Sequence, residues 1–166
     1  MNDIITHPLE PFFDKNSKIL ILGSFPSIKS RLSGFYYQHP RNHFWKILEK
    51  LYQVKSLNNI ETQKKFLKMH HIALWDVLQS CKIKNSDDKS ISFVKMNDLS
   101  QILNKAKIEK IAITGQKAFT LFKKYQESFI KETYPNIRIL TLPSSSPANL
   151  NFSFEQLVHK YQVILD

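Results

Sequence analysis

The chain has 166 residues, 42% hydrophobic and 23% charged, a balance that suits one folded domain over residues 1–166 and excludes a disordered chain. Its 24 lysines and arginines outnumber 14 acidic residues, giving a formal charge of +10 at pH 7. A field of that sign favours a polyanion, nucleic acid first, although a lysine-rich surface without a partner would look the same.

A single cysteine, Cys81, leaves no internal disulfide and no all-cysteine zinc or iron–sulfur site. No stretch approaches the roughly 20 apolar residues of a membrane helix. The start, MNDIITHPLEPFFD, lacks the basic head and apolar run of a signal peptide. A cytoplasmic protein with no membrane partner is expected.

In chain order, residues 18–22 (KILIL) form the first expected strand, with Ile and Leu on both faces as a covered parallel strand requires. Residues 44–52 (FWKILEKLY) then put Phe44, Ile47, Leu48, Leu51 and Tyr52 on one face at helical spacing. A helix over 60–70 and a weaker apolar strand over 72–75 (IALW) follow. Residues 82–92 (KIKNSDDKSIS) are polar and predict a surface loop. Beyond it the pattern predicts a helix over 97–107, a strand over 110–114 (KIAIT), a helix over 116–125, a strand over 137–142 (IRILTL) and a helix over 154–161. Alternating strands and helices predict an α/β sandwich around a mostly parallel sheet. No repeat or Pro/Gly linker divides it.

Ligands of open parallel sheets gather beyond the carboxyl ends of strands. Three turns stand there: residues 23–27 (GSFPS), 115–117 (GQK) and 143–149 (PSSSPAN). The first is neither a Walker loop nor a dinucleotide fingerprint, since the chain has only three glycines. The last presents three hydroxyls between two prolines, suited to phosphate oxygens or to capping the final helix. No histidine set shows zinc spacing, so no metal and no cofactor is expected. Ser24 lacks the flanking glycines of a nucleophile elbow. Asp76, after IALW, is the one acid near a strand end, and reads as a cap or a structural acceptor.

Residues 34–45 (GFYYQHPRNHFW) crowd five aromatic rings and two histidines into twelve positions. Phe44 and Trp45 suit the core, whereas Phe35, Tyr36 and Tyr37 precede the helix, where packing is not expected to bury all three. Rings beside a basic surface are what a protein uses to stack an unstacked base. Asn42 falls at the helix start, where it can cap, bond a base edge, or hold a water.

GSFPS, YYQHPRNHFW, IALWDVLQSC, ITGQKAF and LPSSSPAN occur in that order, and together they resemble the uracil-DNA glycosylase superfamily, most closely its hypoxanthine-DNA (deoxyinosine) glycosylase branch. HPRNHFW is also similar to the mismatch-specific uracil and thymine enzymes. The resemblance covers about residues 17–150. It implies a three-layer α/β/α sandwich with a four-stranded, mostly parallel central sheet, acting on double-stranded DNA as a monomer. It implies monofunctional excision of a flipped, deaminated base, with no cofactor.

Residue by residue, Phe25 stands where the uracil enzymes hold their water-activating aspartate, and Leu142 where many carry a histidine facing the base. Asn42 is then the catalytic residue that the resemblance implies. The resemblance also implies that Gly23, Ser24 and Phe25 line the base pocket, with Tyr36 or Tyr37 stacking on the base. By the same resemblance Ser144, Ser145 and Ser146 are expected to grip phosphates, and Ala148, Asn149 or Leu150 to fill the vacated stack, Leu150 suiting it best sterically. The single cysteine cannot support the four-cysteine cluster of several thermophilic relatives. Two other readings stay open: a uracil or thymine mismatch glycosylase, and a relative that binds DNA without cutting it.

Overall fold

A computed structural model describes residues 3–82 and 92–166. Four strands form a parallel sheet: β2 (Ile19–Gly23), β3 (Ile72–Asp76), β6 (Lys110–Thr114) and β7 (Arg138–Leu142), in the order β3-β2-β6-β7. The first three are buried along their whole length, as expected where helices cover both faces. The four-stranded parallel core of the α/β class thus agrees with the sequence reading.

Three helices connect β2 to β3: α1 (Ile28–Ser33), α2 (Phe44–Tyr52) and α3 (Ile60–Met69). Helices α5 (Gln116–Tyr125) and α6 (Glu127–Thr133) connect β6 to β7, and α7 (Phe154–Tyr161) closes the chain before a short 3-10 turn. From β2 the chain runs to one side of the sheet and from β6 to the other. The switch point therefore lies between these strands, where a crevice must open at their carboxyl ends.

A second, three-stranded antiparallel sheet escaped the sequence reading: β1 (Ile4–Thr6), β4 (Leu78–Lys82) and β5 (Ser92–Met96), in the order β1-β4-β5. The polar loop predicted over 82–92 lies outside the described residues except at its two ends, both of which are in strands. The N-terminal segment continues along the main sheet, where Phe12 and Leu74 exchange backbone hydrogen bonds at 2.9 Å. That bridge covers the free edge of β3.

The helix expected over 97–107 shrinks to α4 (Ser100–Leu103). Asn97 is drawn away from helical geometry, because its Nδ2 donates to the carbonyls of Asp76 and Leu78 and its N–H to that of Val77. Asp98 then takes the Ser100 N–H and hydroxyl, a local arrangement that competes with helix. Among the described residues no helix is long and apolar enough to cross a membrane.

Candidate active site

A cleft of about 470 Å³ opens at the switch point, between the carboxyl ends of β2, β3 and β6. Its floor is Gly23, Asp76 and Thr114, the last residues of those strands. Gly23 and Asp76 are partners across the β2–β3 ladder. A Cβ on Gly23 would stand 2.7 Å from Asp76 Oδ1 and 3.4 Å from the Tyr37 hydroxyl, so only glycine lets these polar groups converge.

The loop after β2 forms one wall. Its carbonyls at Gly23 and Ser24 accept from Val77 and Leu78, which pins it to the start of β4. Ser27 then caps α1 by accepting from the Ser30 N–H at 3.1 Å. Phe25 is buried, its ring edge-on to His7 at 5.5 Å and covered by the Arg31 guanidinium at 5.7 Å. It supplies no proton acceptor at that position.

The aromatic stretch divides differently from expectation. Phe35 and Tyr36 are both buried, and Tyr37 half-buried, because the N-terminal segment supplies cover that the local sequence does not reveal. Phe12 packs edge-on to Phe35 at 5.4 Å, and the Tyr36 hydroxyl donates to the Glu10 carbonyl at 2.7 Å. Tyr36 therefore borders the cleft as an anchored ring. Tyr37 has a left-handed backbone (φ 56°), uncommon for a side chain of its size, and its ring stacks on Phe44 at 3.8 Å. One face of Tyr37 is thus already used.

The Tyr37 hydroxyl is buried with no hydrogen-bond partner among the described residues. Burial, and then the Asp76 carboxylate, pushes its pKa far above the usual phenol range, which the nearby Thr114 hydroxyl offsets only in part. Tyr36 shifts the same way, again through burial first and Asp76 second. Both remain neutral donors in working conditions.

Asn42 is half-buried and lines the cleft. Its Oδ1 accepts from the Phe44 N–H at 2.9 Å, an Asx turn that leads into α2, while the N-cap position expected for Asn42 falls to His43, whose side chain makes no capping bond. Its Nδ2 finds no acceptor among the described residues and is available to a ligand. The next residue ties the walls together: the His43 N–H donates to the Ser145 carbonyl at 3.0 Å.

The serine loop forms the opposite wall. Ser144, Ser145, Ser146 and Asn149 all line the cleft, but they are not equivalent. Ser145 is buried at 2% exposure beside Tyr161, while Ser144 and Ser146 are half-buried. The Ser144 and Ser146 hydroxyls accept from the N–H groups of Ser146 and Ala148, and Asn149 Nδ2 donates to the Ser144 carbonyl at 2.9 Å. Tyr161 of α7 anchors the loop's base through the Pro143 carbonyl at 2.7 Å. Leu150 is 89% exposed and lies outside the cleft lining.

The turn after β6 completes the rim. Gly115 has φ 87°, a conformation glycine adopts freely, and it sends Gln116 and Lys117 of α5 into the lining. The positive end of α5 and the Lys117 charge favour negative charge in the cleft. Leu142 is buried at the end of β7, its carbonyl accepting from the Gly115 N–H at 2.8 Å, and it is not in the lining. Among the described residues no three metal-ligating side chains gather. His7, Thr114, Gln116 and Lys117 were not singled out as site residues. His7 lies far away in the sequence, and nothing local marks it.

A model of the uracil DNA glycosylase superfamily matches residues 10–164. A protein of Methanosarcina acetivorans named hypoxanthine DNA glycosylase is 34% identical over 143 residues, covering 84% of this chain and 85% of its own. A Methanosarcina barkeri protein of the same name is 33% identical over 114 residues, covering 65% of this chain and 70% of its own. The solution NMR structure of a Methanosarcina acetivorans protein, provisionally described as a uracil DNA glycosylase, superposes with a TM-score of 0.77 at 28% identity. That match covers 99% of this chain and 100% of the other.

Proposed function

The chain belongs to the uracil DNA glycosylase superfamily, and from that premise we propose that it is a monofunctional glycosylase removing deaminated bases from DNA, hypoxanthine first. The observation that carries the choice of base is the pairing of Phe25 with Asn42. Phe25, a buried ring, stands where the sequence resemblance puts the acid of the uracil enzymes, and Asn42 lines the same cleft with no acceptor for its carboxamide N–H among the described residues. The two relatives named hypoxanthine DNA glycosylase support the same choice.

Flipping a nucleotide costs a few kcal/mol of stacking and pairing, least at a mispaired base. The basic surface and the serine loop offset part of that cost through phosphate contacts, with Ser144 and Ser146 presenting the accessible hydroxyls. Leu150, exposed on the same loop, fills the vacated stack.

In the cleft, Asn42 Nδ2 donates to a water, while the second lone pair of Oδ1 accepts from it. As the bond from C1′ to the purine nitrogen breaks, its electron pair leaves with the base. The sugar gains positive charge, the water oxygen bonds to C1′, and the released proton ends on the purine or in solvent. The products are free hypoxanthine and an abasic site. A purine protonated at N7 is a competent leaving group, so no acid at position 25 is required. Lys117 and the positive end of α5 stabilise charge on the departing base.

The test is a panel of duplex oligonucleotides carrying inosine, uracil or a G·T mismatch, followed by alkaline cleavage of abasic sites. Inosine strands should break fastest. No breakage of inosine DNA would refute the choice of base, and no breakage of any would leave a protein that binds without cutting.

A further inference from the structure

Tyr37 carries two costs that its own sequence does not explain. Its backbone is left-handed at φ 56°, and its hydroxyl is buried with no hydrogen-bond partner among the described residues. With that hydroxyl hidden and one ring face laid on Phe44 at 3.8 Å, the side chain can offer the cleft only ring carbon.

The φ and ψ angles of residue 37 describe how the peptide planes before and after it are turned relative to one another. Both planes are held from outside. The Tyr36 carbonyl accepts from Gln38 Nε2 at 2.8 Å and from Trp45 Nε1 of α2 at 3.3 Å. On the far side, the Gln38 N–H donates to Ser30 Oγ of α1 at 3.0 Å. Gln38 is fixed in turn by α3. Its Nε2 also donates to Gln63 Oε1 at 2.7 Å, and Gln63 Nε2 donates to the Leu57 carbonyl at 2.9 Å. Ser30 and Gln63 are 2% and 3% exposed, so water does not compete for their bonds. Polar groups from three helices thus converge on the two planes that flank one strained residue.

We infer that Gln63 is a positioning residue which, through Gln38, holds Tyr37 left-handed and so keeps its ring against Phe44 as the fixed wall on which the flipped base stacks. The inference rests on the proposed activity and adds to it a residue of α3, a helix that does not reach the cleft. A left-handed backbone is disfavoured by roughly tenfold for a residue with a side chain. Without the brace the ring visits other positions, and the fraction competent to stack falls. Apparent affinity for the base falls by that fraction, while phosphate contacts elsewhere are untouched.

The test measures binding, so it stands whether or not the protein turns over. The probes are two duplexes of one sequence, each with thymine opposite the site. One carries 2′-fluoroarabino-inosine, whose fluorine opposes charge at C1′ and blocks hydrolysis. The other carries tetrahydrofuran, an abasic analogue with no base to stack. The phosphates are the same, so the ratio of the two affinities isolates what the base contributes. Tyr37→Ala should lower the ratio by about tenfold or more relative to wild type. Gln63→Met, which nearly keeps the volume and removes both bonds, should lower it at least about threefold. Gln38→Met, which also frees the Tyr36 carbonyl, should lower it by up to about tenfold. In the Tyr37→Ala background neither should lower it further.

Gln38 is half-buried on a loop, so its variant decides where the Gln63 variant does not fold. An unchanged ratio in both glutamine variants overturns the inference. So does equal weakening toward both probes, as a merely structural role would give, or a loss that persists without the Tyr37 ring. Variants that lower the ratio in a protein that leaves inosine DNA intact sink the proposed activity alone. A wild type that cuts inosine DNA with a ratio indifferent to Gln63 and Gln38 sinks this inference alone.

Discussion

Replacing Gly23 by alanine asks whether the cleft floor is as tightly built as its geometry says. The backbone of Gly23 is not left-handed, so alanine meets no conformational strain there. The added Cβ would lie 2.7 Å from Asp76 Oδ1, against about 3.4 Å for an ordinary contact, an overlap of about 0.7 Å. Asp76 can retreat only by stretching its 2.8 Å bond to His7 or by moving β3, its ladder partner at that rung. Losing the charged hydrogen bond costs about 1.5–3 kcal/mol, and overpacking about 1–3 kcal/mol. The chain takes the cheaper route, and a less flexible unfolded chain returns about 0.4–1 kcal/mol.

A net loss of about 1–2 kcal/mol in urea unfolding is expected, with inosine cleavage reduced about tenfold or more by the methyl on the floor. In Gly23→Ala/Asp76→Ala the opposing oxygen is gone, so the two losses should fall short of additive by about 1 kcal/mol. Gly34→Ala is the control: with φ 82° and nothing within 4 Å it should cost about 1 kcal/mol through strain alone and spare cleavage. A Gly23→Ala protein with wild-type stability and cleavage within about twofold, or an additive double mutant, would refute the reasoning.

Asn42→Ala should cost about 1 kcal/mol through the lost hydrogen bond to the Phe44 N–H and also abolish cleavage, whereas Asn42→Asp keeps that bond and should lose cleavage alone, by about a hundredfold. Wild-type cleavage by Asn42→Asp would remove Nδ2 from the mechanism. Tyr36, Tyr37 and Tyr161 are all raised above the ordinary phenol pKa, each by burial first. Stability is therefore full below the unfolded value near 10 and lost as pH rises above it, with three groups adding a slope of up to about 4 kcal/mol per pH unit. Their tyrosinate absorbance should appear together with unfolding, and ionisation of all three in a folded protein near that pH would contradict the burial account. Leu150→Ala, at an 89% exposed position, should shift stability by less than about 0.5 kcal/mol. It should slow cleavage of inosine in duplex but not in single strands, and equal rates in duplex would exclude Leu150 as the wedge.

The parallel core was legible in the sequence because burial on both faces forces continuous Ile and Leu, and KILIL, IALW, KIAIT and IRILTL carry that pattern locally. The turns at 23–27, 115–117 and 143–149 followed from it, since strand ends fix where a crevice opens. The antiparallel sheet was not legible. Strand β1 has only three residues, and β4 is held by β1, more than 60 positions away, on one edge and by β5 on the other rather than marked by its own alternation. The aromatic stretch misled for the same reason. Phe35 and Tyr36 are buried by Phe12 and Glu10, whose contribution no window around residue 36 contains. Asn42 could be picked out by type and position, but only the fold shows one amide oxygen spent on Phe44 while its nitrogen stays free. Asp76 reads locally as a cap, and becomes an oriented acceptor only when the N-terminal segment brings His7 within 2.8 Å. Local sequence determines which segments must be buried and where the chain turns, whereas the polarity of the cleft floor depends on a contact across 69 positions that only tertiary packing can make.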